Sequence, residues 1–312
     1  MLVKISNLKM PIDAGLDEVF SEAAKRLTVE REDVVSYRVL RRAIDARHGT
    51  IHFVYTIAAE LKYDISCDNN NITPIAPKQK ETLSVGVKKL SHRPIVVGFG
   101  PCGMFCALNL ARQGYKPIVI ERGAAVEERT KAVEHFWQTG TLDTNTNVQF
   151  GEGGAGTFSD GKLTTRIGDA VLDDILQEFV RHGAPEDILY HAMPHIGTDV
   201  LKHVVKSIRE EIIALGGEVR FHTTVEDICV ENGVLTKVRL SNGDELPCCV
   251  LVFAIGHSAR DTYEMLFSHG ISMEQKPFSV GFRVEHLREE IDRAMYGSFA
   301  GHPLLGAASY QL

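Results

Sequence analysis

The stretch Val96–Arg122 reads VVGFGPCGMFCALNLARQGYKPIVIER. Gly98, Gly100 and Gly103 stand in G-x-G-x-x-G spacing, after a short apolar run and before a helical one. Strand, glycine turn, helix and second strand in that order make a βαβ unit of the dinucleotide-binding kind. The first glycine allows the tight turn. The second lets the backbone approach a pyrophosphate, and the third lets the helix cross close to the strand. Phosphate then meets the positive end of the helix. Ala107 is small where the helix crosses the sheet. Glu121 ends the second strand, where an acid accepts hydrogen bonds from an adenosine ribose. An acid there argues against a 2′-phosphate. Arg122 weakens that argument slightly, unless it is a solvated surface charge.

The motif alone does not choose between NAD and FAD. A simple NAD dehydrogenase would continue with further βα units soon after Glu121. This chain instead runs through a long polar, Asn/Thr-rich connector into Phe150–Leu163, FGEGGAGTFSDGKL. Five glycines fall there: Gly151, Gly153, Gly154, Gly156 and Gly161. Glycine at such density lets backbone approach a ligand where a Cβ would collide, although it also marks any tight turn. This excursion is the local reason to expect FAD.

Upstream, residues 1 to about 60 have the pattern of a small α+β unit. LVKIS is a strand, and LDEVFSEAAKRL puts apolar residues at helical spacing. DVVSYRVLRRAID and TIHFVYTIAAEL are two strands joined at ARHG. Residues 62–92 lose periodicity, with three consecutive asparagines and two prolines, so a boundary is expected near residue 90. The division is 1–90, an N-terminal domain plus linker, and 91–312, the nucleotide-binding part with an inserted substrate or cap region. Downstream, VLDDILQEFVRHG and GTDVLKHVVKSIREEIIALGG have helical patterns, and residues 218–256 read as several strands with turns at ENG and SNGD.

Bulk properties bound the function. The chain has 312 residues, 44% hydrophobic and 24% charged, with a formal net charge of −7. A general electrostatic footprint for nucleic acid is missing. Six cysteines without a Cys-x-x-Cys read as reduced thiols and a cytoplasmic setting. The first ten residues have no long apolar core, so no signal peptide is expected. Pro94–Ala111 carries no charge, but its glycines and Asn109 belong to the dinucleotide motif rather than a membrane span.

At several of these segments the chain resembles a known family. The glycine signature ending in ERG, FGEGGAGTFSDGKLTTR, PHIGTD, FAIGHSARDTYEML and PFSVGFRVEH are similar to those of predicted FAD-dependent dehydrogenases. These belong to the two-dinucleotide-binding-domain flavoprotein superfamily. The resemblance implies an α/β fold: a Rossmann-like FAD-binding domain from about 93–165 and 215–260, with an interleaved substrate or cap region, preceded by the small α+β domain. It implies that Gly98, Gly100, Pro101 and Gly103 meet the FAD pyrophosphate, and that Glu121 meets the ribose. Val225 matches the position whose backbone contacts adenine. Ala254 and Gly256 match the turn that closes over the nucleotide, and Gly153, Gly154, Gly156 and Thr157 lie towards the flavin. Such proteins continue past LLGAASYQL, so a truncated C-terminus is expected.

The expected activity is FAD-dependent oxidoreduction of a small-molecule substrate, with NAD(P)H or another carrier as donor. The alternatives are an NAD-dependent dehydrogenase using the same motif and a non-catalytic nucleotide-binding or interaction protein. No catalytic residue is assigned. His191 and His195 lack the further ligands a metal needs. They fit a loop before a helix capped by Thr198 or Asp199 better than an acid–base site. Lys162 and Arg166 are candidates for positive charge near the flavin, and Arg283 for a carboxylate.

Overall fold

The computed structural model describes residues 1–67, 70–76, 86–87, 89–159, 161–163, 171–278, 280–282 and 284–310. Arg166 and Arg283 lie outside the described residues. The chain forms two compact units: Met1–Thr82 with Asp187–Pro194 and Pro277–Leu312, and Leu83–Glu186 with His195–Lys276.

The first unit begins β1 (Leu2–Pro11), α1 (Leu16–Leu27), β2 (Val34–Asp45), β3 (His52–Leu61) and β4 (Ile72–Pro74), with sheet order β2-β3-β1-β4. Val3, Ile5, Leu8 and Met10 of β1 are buried in one core with Val19, Ala23 and Leu27 of α1. The step from Ile5 to Leu8 is odd, and strict alternation would turn Leu8 away from that core. A register shift between Ile5 and Leu8, with Asn7 at φ 57°, restores the phase. β2 and β3 pair antiparallel, as the sequence suggests. β4 lies in the stretch that reads as linker; three residues are too few to show a period, and pairing with Val3–Ile5 decides them.

The second unit carries the α/β pattern. Its strands β5 (Ile95–Val97) and β6 (Ile118–Ile120) flank α2 (Pro101–Arg112). Next come α3 (Val126–Thr139), α4 (Val171–Arg181) and α5 (Thr198–Ala214), then β7 (Glu218–Arg220), β8 (Val225–Glu231), β9 (Val234–Leu240), β10 (Glu245–Pro247), β11 (Leu251–Phe253) and α6 (Arg260–Ser268). A parallel sheet runs β11-β5-β6-β7, and an antiparallel one β10-β9-β8. Every residue of β5 and β6 is buried, which is why these strands read as unbroken apolar runs. This is a mixed α/β fold with a Rossmann-like parallel sheet. Pro94–Ala111 is a strand, a turn and most of α2; among the described residues no helix is long and apolar enough to cross a membrane.

The connector after Glu121 holds a helix, α3, that its polar composition hides; its buried positions are Val126, Arg129 and Val133. α5 also starts differently from expectation. Gly197 is the N-cap without a side-chain cap bond, and Thr198 is the first helical residue, so neither Thr198 nor Asp199 caps.

Returning to the first unit, α7 (Arg288–Tyr296) adds Tyr296 to its core. Asp187–Pro194 joins the edge of β2: Arg42 N–H donates to Tyr190 O at 2.7 Å, and Ala192 N–H to Arg42 O at 3.0 Å.

Candidate dinucleotide site

The turn after β5 is set by strand ends. Gly98 N–H donates to Ile120 O, and Ala254 N–H to Val97 O, both at 2.8 Å. Gly98 has φ +97°, and a Cβ there would lie 2.5 Å from Ala254 O. Only glycine fits both the conformation and the space. A Cβ on Gly103 would strike Gly98 O, so α2 sits directly on the turn. Gly100 is the N-cap of α2 and Pro101 its first residue, which needs no N–H there.

Glu121 follows β6 and is 5% exposed. Its Oε2 accepts from Phe99 N–H at 2.7 Å, and its Oε1 from Gly123 and Gly151 N–H, each at 2.9 Å. One carboxylate therefore joins the first glycine turn, the end of β6 and the second glycine loop. Charge-assisted bonds of this kind are about twice as strong as neutral ones.

The second loop packs against the first turn. Gly153 N–H donates to Phe99 O at 2.8 Å. Gly154 has φ +66°, and a Cβ on it would lie 3.0 Å from Gly100 Cα and 3.2 Å from Pro101 Cδ. Thr157 is buried within a 3-10 turn, Ala155–Phe158, and its Oγ1 donates to Glu152 O at 3.5 Å. Gly156 is exposed, with open space where a Cβ would stand.

Two residues beneath this loop escaped the sequence reading. Arg129 is fully buried and donates to four carbonyls: Asn147 and Val148 at 3.0 Å, Gly151 at 3.3 Å and Glu152 at 2.5 Å. Burial pushes its pKa down to about 10, against the pull of Glu121 and Glu152. The available signal was its place on the Val126–Val133 stripe of α3, where an apolar residue belongs. Glu152 is also fully buried. Its Oε2 accepts from Val126 N–H at 2.7 Å and Arg209 Nη1 at 3.0 Å, while Oε1 has no partner among the described residues. Burial pushes its pKa up to about 7, although Val126 N–H and Arg209 pull it down.

In front of the turn lies a shallow cleft, open to solvent, whose walls include Gly98, Glu121, Arg122, Phe150, Val225 and Ile255. Of the residues singled out from sequence, Gly98, Glu121, Arg122 and Val225 meet at this cleft. Gly100, Pro101 and Gly154 meet at the junction of the two loops, and Gly103 and Ala254 back the turn. Gly256 stands apart at φ +67°, with its carbonyl accepting from Tyr263 Oη at 2.7 Å. His191 belongs to the first unit, between Arg42 and Asp187, whereas His195 belongs to the second and bridges Lys162.

Two family models match parts of the chain. Residues 277–312 match a family described as FAD-dependent protein, C-terminal domain-like, and residues 2–60 a domain of unknown function. An uncharacterized protein of Clostridium beijerinckii is 44% identical over 317 residues, covering 100% of this chain and 59% of that protein. The chain thus spans 59% of that relative's length. Among solved structures, Thermovibrio ammonificans THI4 aligns at 20% identity over 58% of this chain and 64% of its own, with a TM-score of 0.38. Glycine oxidase from Bacillus cereus aligns at 17% identity over 58% and 59%, with a TM-score of 0.32.

The cleft brings together a glycine turn, an acid and a buried valine, residue types suited to the ADP half of a dinucleotide.

Proposed function

We propose that this chain binds FAD and takes part in FAD-dependent oxidoreduction of a small molecule. The observation that carries the reading is the meeting of the Gly98 turn, the Glu121 carboxylate and Val225 at one cleft. The FAD-dependent description of the family matching residues 277–312 supports it.

In this reading the N–H groups at the start of α2 bind the pyrophosphate, whose charge the helix terminus favours. Glu121 accepts from the ribose hydroxyls while its three backbone donors hold it in place. Val225 closes the apolar side of the adenosine, and Ala254 with Gly256 completes the turn above the nucleotide. Gly153, Gly154, Gly156 and Thr157 border the path towards the flavin. Bound FAD supplies the redox chemistry, accepting electrons from one molecule and passing them to another; the protein supplies orientation and exclusion of water. The donor, NAD(P)H or another carrier, reaches the flavin from solution, in the cytoplasm.

The test is the absorption spectrum of the purified protein before and after incubation with FAD. Bands near about 450 nm that stay with the protein through gel filtration are expected. A colourless protein that FAD does not reconstitute, but that NAD stabilises against heat, would overturn the cofactor assignment.

A further inference from the structure

Arg122 follows the ribose-facing acid, where a free arginine would be suited to a 2′-phosphate. Its surroundings make it unlike a solvated surface charge. The side chain is only 14% exposed. Its Nη2 donates to both carboxylate oxygens of Asp261, at 2.7 and 2.9 Å, and to Thr262 Oγ1 at 3.3 Å. The guanidinium lies 4.6 Å above the centroid of the Phe150 ring. Asp261, the second residue of α6, is itself held: its Oδ1 accepts Thr262 N–H at 2.9 Å. Burial pushes its carboxyl up, but Arg122 and that N–H more than offset this and keep it low.

Arg122 and Glu121 are the charged residues lining the cleft among those described. With Arg122 neutralised by Asp261, the cleft presents the net charge of Glu121. We infer that Asp261 sets the ligand class of this cleft: by taking up the charge of Arg122, it makes the cleft select adenosine nucleotides with an unphosphorylated ribose over 2′-phosphorylated ones. This rests on reading the cleft as the ADP half of a dinucleotide site. A second phosphate beside Glu121 would meet a like charge and no free cation, and like charges at close range are costly in a partly buried site. Without Asp261, Arg122 would regain a free charge within a side chain's reach of the ribose-facing acid, and its planar fork suits phosphate.

The experiment measures affinities of purified wild-type protein for 5′-ADP and adenosine 2′,5′-bisphosphate by calorimetry. Wild type is expected to favour 5′-ADP by at least about tenfold, which corresponds to about 1.4 kcal/mol. Asp261→Asn is expected to cut that ratio about tenfold or reverse it, and Asp261→Asn with Arg122→Gln to restore it. In the wild-type background, Arg122→Gln leaves the Asp261 carboxylate unpaired and is expected to hold or raise the preference for 5′-ADP. That variant keeps the inference open to refutation even if Asp261→Asn does not fold. An unchanged ratio in folded Asp261→Asn that still binds 5′-ADP overturns the role of Asp261 and leaves the site reading intact. So does a fall of the ratio in Arg122→Gln alone. Wild-type protein that is folded yet binds neither nucleotide removes both the inference and the site it rests on.

Discussion

The two glycine-bearing turns of the second unit reach their shapes by different means. The turn at Gly98–Gly103 is held by its own sheet: Ile120 accepts from Gly98, Val97 accepts from Ala254, and α2 starts on the turn itself. The loop from Asn147 to Phe158 has no strand to hold it. Its carbonyls converge on Arg129, its amides reach Glu121 and Phe99, and Glu152 ties it to α3 and Arg209. The first turn rests mainly on backbone bonds, with Glu121 as its one buried side-chain acceptor at Phe99 N–H. The second depends on individual buried polar groups, each of which leaves others unsatisfied when removed.

Arg129 is where the comparison is most easily broken. Arg129→Met keeps the length and apolar stem but orphans the carbonyls of Asn147 and Val148 and strips a charged donor from those of Gly151 and Glu152, so a loss of about 3–5 kcal/mol is expected. Arg129→Lys recovers little of it, because one ammonium does not reproduce a planar fork. Hydrogen exchange reads the effect directly: the Gly151 and Gly153 amides, protected in the wild type, should exchange fast in the variant. Unchanged protection there would show that the loop holds itself.

Glu152 gives the same loop a pH dependence. Its folded pKa of about 7 lies above the ordinary 4.5, so between those values the folded protein binds more protons than the unfolded chain. Stability therefore falls as pH rises through that window, by up to about 3 kcal/mol, and levels off above it. The groups acting on Glu152 are Val126 N–H, Arg209, Glu127 and Glu121, with the buried Arg129 coupled to it. Glu152→Gln does not titrate and should flatten the denaturation profile between pH 4.5 and 7. A wild-type slope surviving in the variant would assign the dependence to another group.

How much of this could be read in the sequence follows the same division. G-x-G-x-x-G, the apolar strands around it and Glu121 are close neighbours in the chain, and their placement in the fold depends on spacing. They were legible, as were the β2–β3 hairpin and the periodicity of α5. Arg129 looked like one more charge in VEERTKAVEHF, because its burial follows from carbonyls folded back over it from residues 147–152. The Arg122–Asp261 pair joins positions 139 apart and leaves no local trace. The start of α5 was misread because Thr198 has a capping side chain, while the backbone places Gly197 at that position.

Gly154 and Gly156 are two residues apart in the second loop, and they sharpen the contrast within it. Gly154→Val forces a β-branched residue to φ +66° and brings its Cβ to 3.0 Å from Gly100 Cα. A cost of about 2–3 kcal/mol is expected from the strain and the overlap. The junction with the first turn should open, and 5′-ADP affinity should fall at least about tenfold, equivalent to about 1.4 kcal/mol. Full 5′-ADP affinity in a folded variant would separate the two loops functionally.

Gly156→Ala should have the smallest effect on folding, and it tests a different property. A Cβ there meets nothing within 4 Å, and the residue sits in a 3-10 turn rather than the left-handed region. Alanine narrows the unfolded ensemble without straining the folded one, so a gain of about 0.4–1 kcal/mol is expected. Affinity for 5′-ADP should not change, since Gly156 is not among the residues lining the cleft. If glycine is kept here for close approach of the longer ligand, FAD affinity should fall while ADP affinity holds. That ratio is measurable by titrating each nucleotide into the apoprotein. Equal affinities in variant and wild type for both nucleotides would leave Gly156 a turn residue, and would confine the ligand-facing part of the second loop to the residues packed against Gly100.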